Sequence, residues 1–289
     1  MKPAPFTYHD PRTLADALGL LATLENAKLL AGGQSLGPML NMRYVMPDHL
    51  IDLNRVAGLG YIKAGDGALE IGAMTRQRAL ERSADIQRLC PVMRDALAHV
   101  GHFQTRNRGT LGGSLSHLDP AAELPGICAL YDATLNVEGG NGKRSVPIGE
   151  WGQGYMSPDL APDEMLTSVR LSLWRESHGH AFIEFARRHG DFAIVGVACL
   201  IALDGSGKIA RAAIALIGVA YAPVRLASAE KLLAGQTPED AAFKAAAAEA
   251  ERIDAIEDTY VTSVYRKRLA GVLTGRALKL AAERAQGVR

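Results

Sequence analysis

Apolar residues change their spacing along the chain, and each spacing predicts an element. Leu14, Ala17, Leu18 and Leu21 recur at helical spacing behind Asp10, a good N-cap, and Pro11, which suits a first helical position. A short apolar strand is expected over 27–31, a helical turn over 38–43 and a second strand over 49–53, together about one βαβ unit. Short runs over 61–63 and 68–72 flank Gly65-Asp66-Gly67 and predict a hairpin. Thr75 is placed to cap a helix reaching Arg82, and Pro91 opens another that carries Met93, Leu97 and Val100. A helix over 127–131, a strand over 134–137, a turn at 139–142 and a strand over 165–173 follow.

Past the polar stretch Ser177-His178-Gly179-His180 the pattern becomes three strands, over 181–186, 193–203 and 209–219. Asp204-Gly205-Ser206-Gly207 joins the last two as a hairpin turn. Helices are expected over 224–233, 237–250 and 262–284, with Thr237 and Pro238 marking the start of the second. These shifts divide the chain into segments 1–56, 57–176 and 177–289.

Composition narrows the function classes. The chain has 289 residues with 32 Lys+Arg against 31 Asp+Glu, so it lacks the basic excess of a general nucleic-acid binder. Its longest apolar run, 192–203, falls well short of the ~20 residues that cross a bilayer. The first ten residues lack the apolar stretch of a secretory leader. Cys90, Cys128 and Cys199 lie far apart, with no C-x-x-C spacing. That excludes a zinc ribbon, an iron–sulfur cluster held by this chain alone and a disulfide framework, and it suits a reduced, cytoplasmic setting. Cys128 and Cys199 read as small buried hydrophobes.

Glycine supplies the candidate chemistry. It clusters in Gly32-Gly33-Gln34-Ser35-Leu36-Gly37 and again in Gly109-Thr110-Leu111-Gly112-Gly113-Ser114. Adjacent glycines open backbone conformations closed to other residues, and consecutive N–H groups in such turns form anion-binding nests. Ser35, Thr110 and Ser114 add hydroxyls. Either segment alone reads equally well as a tight turn without a ligand; both together favour a ligand with two linked phosphates. Arg106 and Arg108 stand just upstream, placed to offset phosphate charge, and Asp119 and Glu123 stand downstream, placed to accept from ribose hydroxyls. Neither G-x-G-x-x-G nor the P-loop pattern is present, and Gly205-Ser206-Gly207-Lys208 is a turn. Gly33-Gln34-Ser35-Leu36-Gly37 matches the G-x-S-x-G of a nucleophile elbow, but no earlier strand is expected to supply its oxyanion loop. Among the histidines, His178 and His180 read as a solvated linker, His99 and His102 as a helix end favoured by cationic charge, and His117 as a neighbour of the ligand.

These residues resemble a known family. Ala31-Gly-Gly-Gln-Ser-Leu-Gly-Pro-Met-Leu-Asn-Met-Arg43 looks like the first flavin motif of the FAD-binding (medium) subunits of molybdenum hydroxylases, the carbon monoxide dehydrogenase and xanthine dehydrogenase type. Arg106-Asn-Arg-Gly-Thr-Leu-Gly-Gly-Ser-Leu-Ser-His-Leu-Asp-Pro-Ala-Ala-Glu-Leu-Pro125 looks like the second. Asp163-Glu-Met-Leu-Thr167 and Arg187-Arg-His-Gly-Asp191 resemble later signatures.

The resemblance implies an α+β protein with a PCMH-type FAD-binding fold. Two α/β subdomains clasp FAD, ahead of a C-terminal domain with a three-stranded antiparallel sheet and helices. It implies that Leu29, Leu30, Ala31, Gly32, Gly33, Gln34, Ser35 and Leu36 cradle the pyrophosphate with Thr110, Leu111, Gly112, Gly113 and Ser114. Asp119 and Glu123 would hold the ribose–adenine or ribityl end, with Leu166 near the flavin and Phe182 stacking on it. Relatives often carry Lys where this chain has Glu184. Function follows the same resemblance. Substrate is hydroxylated at a molybdopterin on a large subunit, and electrons pass through two 2Fe-2S clusters on a small iron–sulfur subunit to FAD here, then to NAD or another acceptor. The assembly would be a dimer of heterotrimers. The alternative is a self-contained flavin oxidoreductase of the same fold, acting on its own small substrate.

Overall fold

The structure is a computed structural model that describes residues 1–174 and 177–287. The expected boundary at residue 176 lies outside the described residues. The N-terminal part contains β1 (Thr7–His9), α1 (Leu14–Thr23), β2 (Ala27–Leu30), α2 (Leu36–Asn41) and β3 (His49–Asp52). Its strands form an all-parallel sheet in the order β1-β3-β2. Sequence reading missed β1 because Thr7 and Tyr8 are exposed; backbone pairing to β3, rather than burial, holds it. The cap of α1 is Thr13, not Asp10. Thr13 Oγ1 accepts from the Asp16 amide at 3.1 Å, whereas the Asp10 carboxylate takes Arg12 and Arg55.

The middle part begins with β4 (Ile62–Gly65) and β5 (Ala68–Gly72), whose turn residues Asp66 and Gly67 have φ of +50° and +70°. Short helices follow: α3 (Gln77–Arg82), α4 (Ala84–Leu89), α5 (Pro91–Leu97) and α6 (Phe103–Arg108). Next come α7 (Leu111–His117), α8 (Glu123–Leu130), β6 (Thr134–Gly139), β7 (Gly142–Pro147) and α9 (Ile148–Trp151). The small pair β8 (Gly152–Gly154) and β9 (Ser157–Pro158) leads into β10 (Glu164–Ser172). One antiparallel sheet orders its strands β4-β5-β10-β6-β7. Thr75 does not cap α3. Its hydroxyl accepts from the Tyr61 amide at 3.0 Å and donates to the Tyr61 carbonyl at 2.9 Å, closing the base of the hairpin.

The C-terminal part holds β11 (His178–Phe185), β12 (Val195–Leu203), β13 (Ile209–Ile217) and β14 (Val224–Arg225). Helices α10 (Ala227–Leu233), α11 (Asp240–Glu251) and α12 (Ser263–Ala285) complete the chain. The antiparallel sheet is β11-β12-β13-β14, so it has four strands where three were expected. The extra strand spans two residues that were read as helix start, and it pairs with Ala215 and Leu216. His178 and His180 belong to β11 rather than to a linker; His178 packs edge-on against Trp174.

Both faces of this sheet are buried, which explains its continuous apolar strands. Val195, Val197, Cys199 and Ile201 join Ile214 and Leu216 under α12. Phe182, Ala198, Leu200, Ala213, Ala215 and Ile217 face the other way, into the core of the middle part with Leu111, Leu115, Leu124 and Ile127. Gly179 lets β11 lie on the α12 backbone; a Cβ there would stand 2.9 Å from the Ala281 carbonyl carbon and nearer still to its oxygen. Among the described residues no helix is long and apolar enough to cross a membrane.

Candidate functional site

The first glycine segment links β2 to α2. Gly33 has φ +70°, a conformation that suits glycine. Among the described residues, the amides of Gly32, Gly33, Gln34, Ser35 and Leu36 donate to no protein acceptor. The Ser35 hydroxyl makes no cap hydrogen bond either. Five successive unengaged N–H groups beside a hydroxyl form a cradle for an anion with several oxygens. Orphan backbone donors are rare in folded proteins unless water or a ligand takes them.

The second segment packs directly on the first. A Cβ on Gly32 would stand 2.8 Å from Gly109 Cα and closer still to the Arg108 carbonyl oxygen. Gly113 faces Ala31, with 3.6 Å from an ideal Cβ to the Ala31 methyl. Asn54 and Arg76 tie the junction. Asn54 Nδ2 donates to the Ala31 carbonyl at 3.0 Å, while Arg76 donates to Asn54 Oδ1 at 2.5 Å and to the Arg108 carbonyl. The two segments therefore meet at one place, as a shared ligand requires.

The second segment differs from its expected form. It lies between the helices α6 and α7, and Thr110 caps α7, accepting from the Gly113 amide at 3.0 Å. The amides of Leu111 and Gly112 donate to the carbonyls of Thr75 at 3.1 Å and Ala73 at 2.8 Å. The N–H groups of Gly109 and of Leu111 to Ser114 are engaged internally, so this segment offers the Ser114 hydroxyl and the bare Gly113 surface instead of an amide nest. Gly112 is needed for packing, since a Cβ would stand 2.6 Å from that of Ala73.

Charge around the cradle is also redistributed. Arg106 is buried and committed to Glu81, at 3.2 Å, and to the Val100 carbonyl, at 3.0 Å, so it does not serve a phosphate. Arg108 is exposed, and Arg76 lies beside it. Burial and the neighbouring Arg108 hold the Arg76 guanidinium below its ordinary range. Arg76 and Asn54 carried no motif signal; only their junction contacts reveal them.

At the far end of α7, Leu118 turns left-handed with φ +49°, and Asp119 Oδ1 accepts from the Ala121 amide at 2.8 Å. Glu123, 9% exposed, opens α8. Burial, then the nearby Glu184 carboxylate, pushes the Glu123 carboxyl up to about 8. The Glu184 side chain is 3% exposed, and burial pushes it up to about 7. Its Oε2 is buried without a hydrogen-bond partner, and His99 Nδ1 stands 4.0 Å from Oε1. His99 follows the end of α5, and its ring packs on Phe182 at 5.3 Å. Burial holds His99 and His117 below the ordinary histidine range, so His99 does not supply the cationic helix end expected of it. Leu166 and Phe182 lie in the core, 4% and 7% exposed. Leu29 packs on the N-terminal core, and Leu30 lies under Gly33.

A separate groove of about 480 Å³ lies between α1 and the solvent side of the five-stranded sheet, lined in part by Leu14, Tyr61, Asn136 and Ser168. It shares no residue with the cradle, and its polar groups pair with one another: Tyr61 with Glu70, Asn136 with Ser168 and Ser145. Cys90, Cys128 and Cys199 are buried thiols raised by burial, as small apolar residues would be. Among the described residues no group of metal-ligating side chains occurs.

An open amide cradle wedged against a glycine-lined helix in a mixed α/β fold defines a protein that holds a diphosphate-bearing cofactor. The chain matches the family described as FAD binding domain in molybdopterin dehydrogenase over residues 4–174, and CO dehydrogenase flavoprotein C-terminal domain over residues 180–281. It is 38% identical over 288 residues to the 6-hydroxypseudooxynicotine dehydrogenase complex subunit alpha of Paenarthrobacter nicotinovorans, covering 99% of this chain and 97% of the relative. It is 35% identical over 288 residues to the carbon monoxide dehydrogenase medium chain of Afipia carboxidovorans, covering 99% and 100%. A chain of the reconstituted CO dehydrogenase from Oligotropha carboxidovorans superposes with a TM-score of 0.95 at 35% identity, covering 99% and 100%. The chain belongs to the FAD-binding medium subunits of the molybdenum hydroxylases. FAD is its cofactor, and it is a subunit of an oxidoreductase.

Proposed function

We propose that the amides of Gly32 to Leu36 and the hydroxyls of Ser35 and Ser114 hold the FAD diphosphate, with Ala31 and Gly113 as the walls where the two segments meet. Leu29, Leu30, Thr110, Leu111 and Gly112 set the shape of that cradle from beneath. The fit rests on one observation: five consecutive unengaged donors lie in the segment that the second glycine segment abuts. Arg76 and Arg108 add positive field without being consumed by a carboxylate. Asp119 and Glu123 take the hydroxyl-bearing end. Leu166 and Phe182, being buried, act as an apolar wall rather than an open stacking face. Bound FAD supplies a redox relay, accepting electrons from iron–sulfur clusters on a small partner subunit of a molybdopterin enzyme and passing them to NAD or another acceptor. This chain's residues bind and orient the cofactor.

The burial of both faces of the C-terminal sheet supports the subunit reading over a self-contained flavoenzyme, because it leaves few polar groups to receive a separate substrate. The test is purification from the native host. Iron–sulfur and molybdenum chains should co-purify in a cytoplasmic dimer of heterotrimers. A lone chain that turns over a small substrate would overturn the assignment. Gly33→Val and Gly113→Val should each abolish FAD retention, read as flavin per chain after gel filtration.

A further inference from the structure

An unengaged amide faces a ligand only if the other edge of its peptide is held. In a planar trans peptide the carbonyl and the next residue's N–H point in opposite directions, so a bond accepted by the carbonyl aims that N–H. The backbone aims two amides of the cradle. The Gly33 carbonyl accepts from the Gly37 amide at 3.0 Å, which aims the Gln34 amide, and the Ser35 carbonyl accepts from the Met39 amide at 3.2 Å, which aims that of Leu36. Side chains aim two more. Gln34 Nε2 donates to the Gly32 carbonyl at 3.2 Å and so aims the Gly33 amide. Asn54 Nδ2 donates to the Ala31 carbonyl at 3.0 Å and so aims the Gly32 amide. Gln34 belongs to the segment that it orders, whereas Asn54 reaches in from the turn Leu53–Arg55 that follows β3.

Every polar atom of the Asn54 side chain is committed. Its backbone amide donates to Asp52 Oδ1 at 2.9 Å, and Nδ2 donates to the same oxygen. The other Asp52 oxygen accepts from the Tyr8 hydroxyl at 2.5 Å. Asn54 Oδ1 accepts from Arg76 at 2.5 Å, and Arg76 also donates to the Arg108 carbonyl. The Arg76 backbone in turn pairs with Thr110 in the second glycine segment. A carboxamide meets these demands, because one end gives two hydrogen bonds and the other accepts. A carboxylate would set oxygen against the Ala31 carbonyl, and a methyl would reach none of the three partners.

We propose that Asn54 is a positioning residue for bound FAD: it turns the Gly32 amide toward the diphosphate, and Arg76 locks the side-chain rotation that lets it do so. The inference rests on the FAD reading above and extends it to two residues outside both glycine segments. A donor fixed before the ligand arrives costs no ordering on binding, so it contributes more affinity than the same donor on a loose loop. Arg76 spends its two bonds on neutral oxygens, those of Asn54 and Arg108, and so joins the clamp as a cation.

The test is FAD titration of the full-length apo chain by flavin fluorescence for the wild type, Asn54→Ala, Asn54→Asp and Arg76→Lys. Each apo chain is also melted, and phosphorus NMR spectra are taken of each FAD-loaded chain. Both Asn54 variants should bind FAD about tenfold to a hundredfold more weakly, the loss of one aimed donor to a charged acceptor. Both should also shift the phosphorus resonances of the bound diphosphate. Arg76→Lys keeps the charge but loses the fixed fork that spans Asn54 and Arg108, so it should weaken binding and move the same resonances. Asn54→Asp keeps the size of the side chain and its acceptor for Arg76, so it carries the test if Asn54→Ala does not fold. A loss confined to Asn54→Asp would mark charge repulsion alone and overturn the positioning role. So would weaker binding with a lowered apo melting temperature and unmoved phosphorus resonances. Wild-type behaviour of Arg76→Lys would overturn the lock. Each of these leaves the FAD reading intact, whereas a wild-type chain that binds no FAD would overturn both.

Discussion

Gly32→Ala tests the meeting of the two glycine segments most directly. The added methyl would stand 2.8 Å from Gly109 Cα, whereas carbon atoms rest at ~3.5–4.0 Å, so the segments must part by about 1 Å. They cannot part freely, because Asn54 ties Ala31 and Arg76 ties both Asn54 and the Arg108 carbonyl. Overpacking of this kind costs ~1–3 kcal/mol of stability. The cofactor feels more. Donors displaced by about 1 Å leave hydrogen-bonding range, and each charge-assisted bond contributes ~1.5–3 kcal/mol. Losing two of them weakens FAD binding by about a hundredfold to ten-thousandfold. The assay is fluorescence titration of apo chain with FAD, beside a thermal melt. Gly37→Ala is the control, since its Cβ would meet nothing within 4 Å and its φ is not positive. A folded Gly32→Ala chain with wild-type FAD affinity would refute the claim that the two segments share one ligand.

Thr110→Ala should cost about 1 kcal/mol through loss of the α7 cap and lower the melting temperature by ~2–4 °C, as measured by circular dichroism on the apo chain. Glu123 yields a stability prediction apart from FAD. Its folded-state pKa is raised above the unfolded value, so its contribution is fully present below about 4.5 and is lost as pH rises through about 8. The apo chain should therefore melt at progressively lower temperature from pH 5 to pH 8, and Glu123→Gln should flatten that decline. Parallel melting profiles for variant and wild type would contradict the burial argument.

Long buried strands and sharp turns were legible in the sequence because burial writes a pattern. The run around Cys199 and the Asp66-Gly67 turn both appear where expected. Elements held by few side chains were not legible. β1 is fixed by backbone pairing and by the polar contacts of Tyr8 with Asp52 and His9 with His49, not by apolar burial. α4 has a Ser83 cap and one fully buried residue, Ile86, too little for a periodicity. The site divides in the same way. Its glycines announce themselves locally, whereas the use made of them is tertiary. That the amides of α7 are spent on Ala73 and Thr75 could not be read from Gly112 and Gly113, which would look the same in an open loop. Arg106 was misjudged for a related reason: a guanidinium near a phosphate motif reads alike whether it faces the ligand or, as here, Glu81.

The close seating of β11 on α12 through Gly179 has a practical corollary. The strand that carries Phe182 and Glu184 is braced from behind by the last helix, backbone to backbone. With Phe182 as the proposed apolar wall of the FAD site, an affinity tag or trimmed tail that loosens that brace is expected to give a paler protein before unfolding becomes visible.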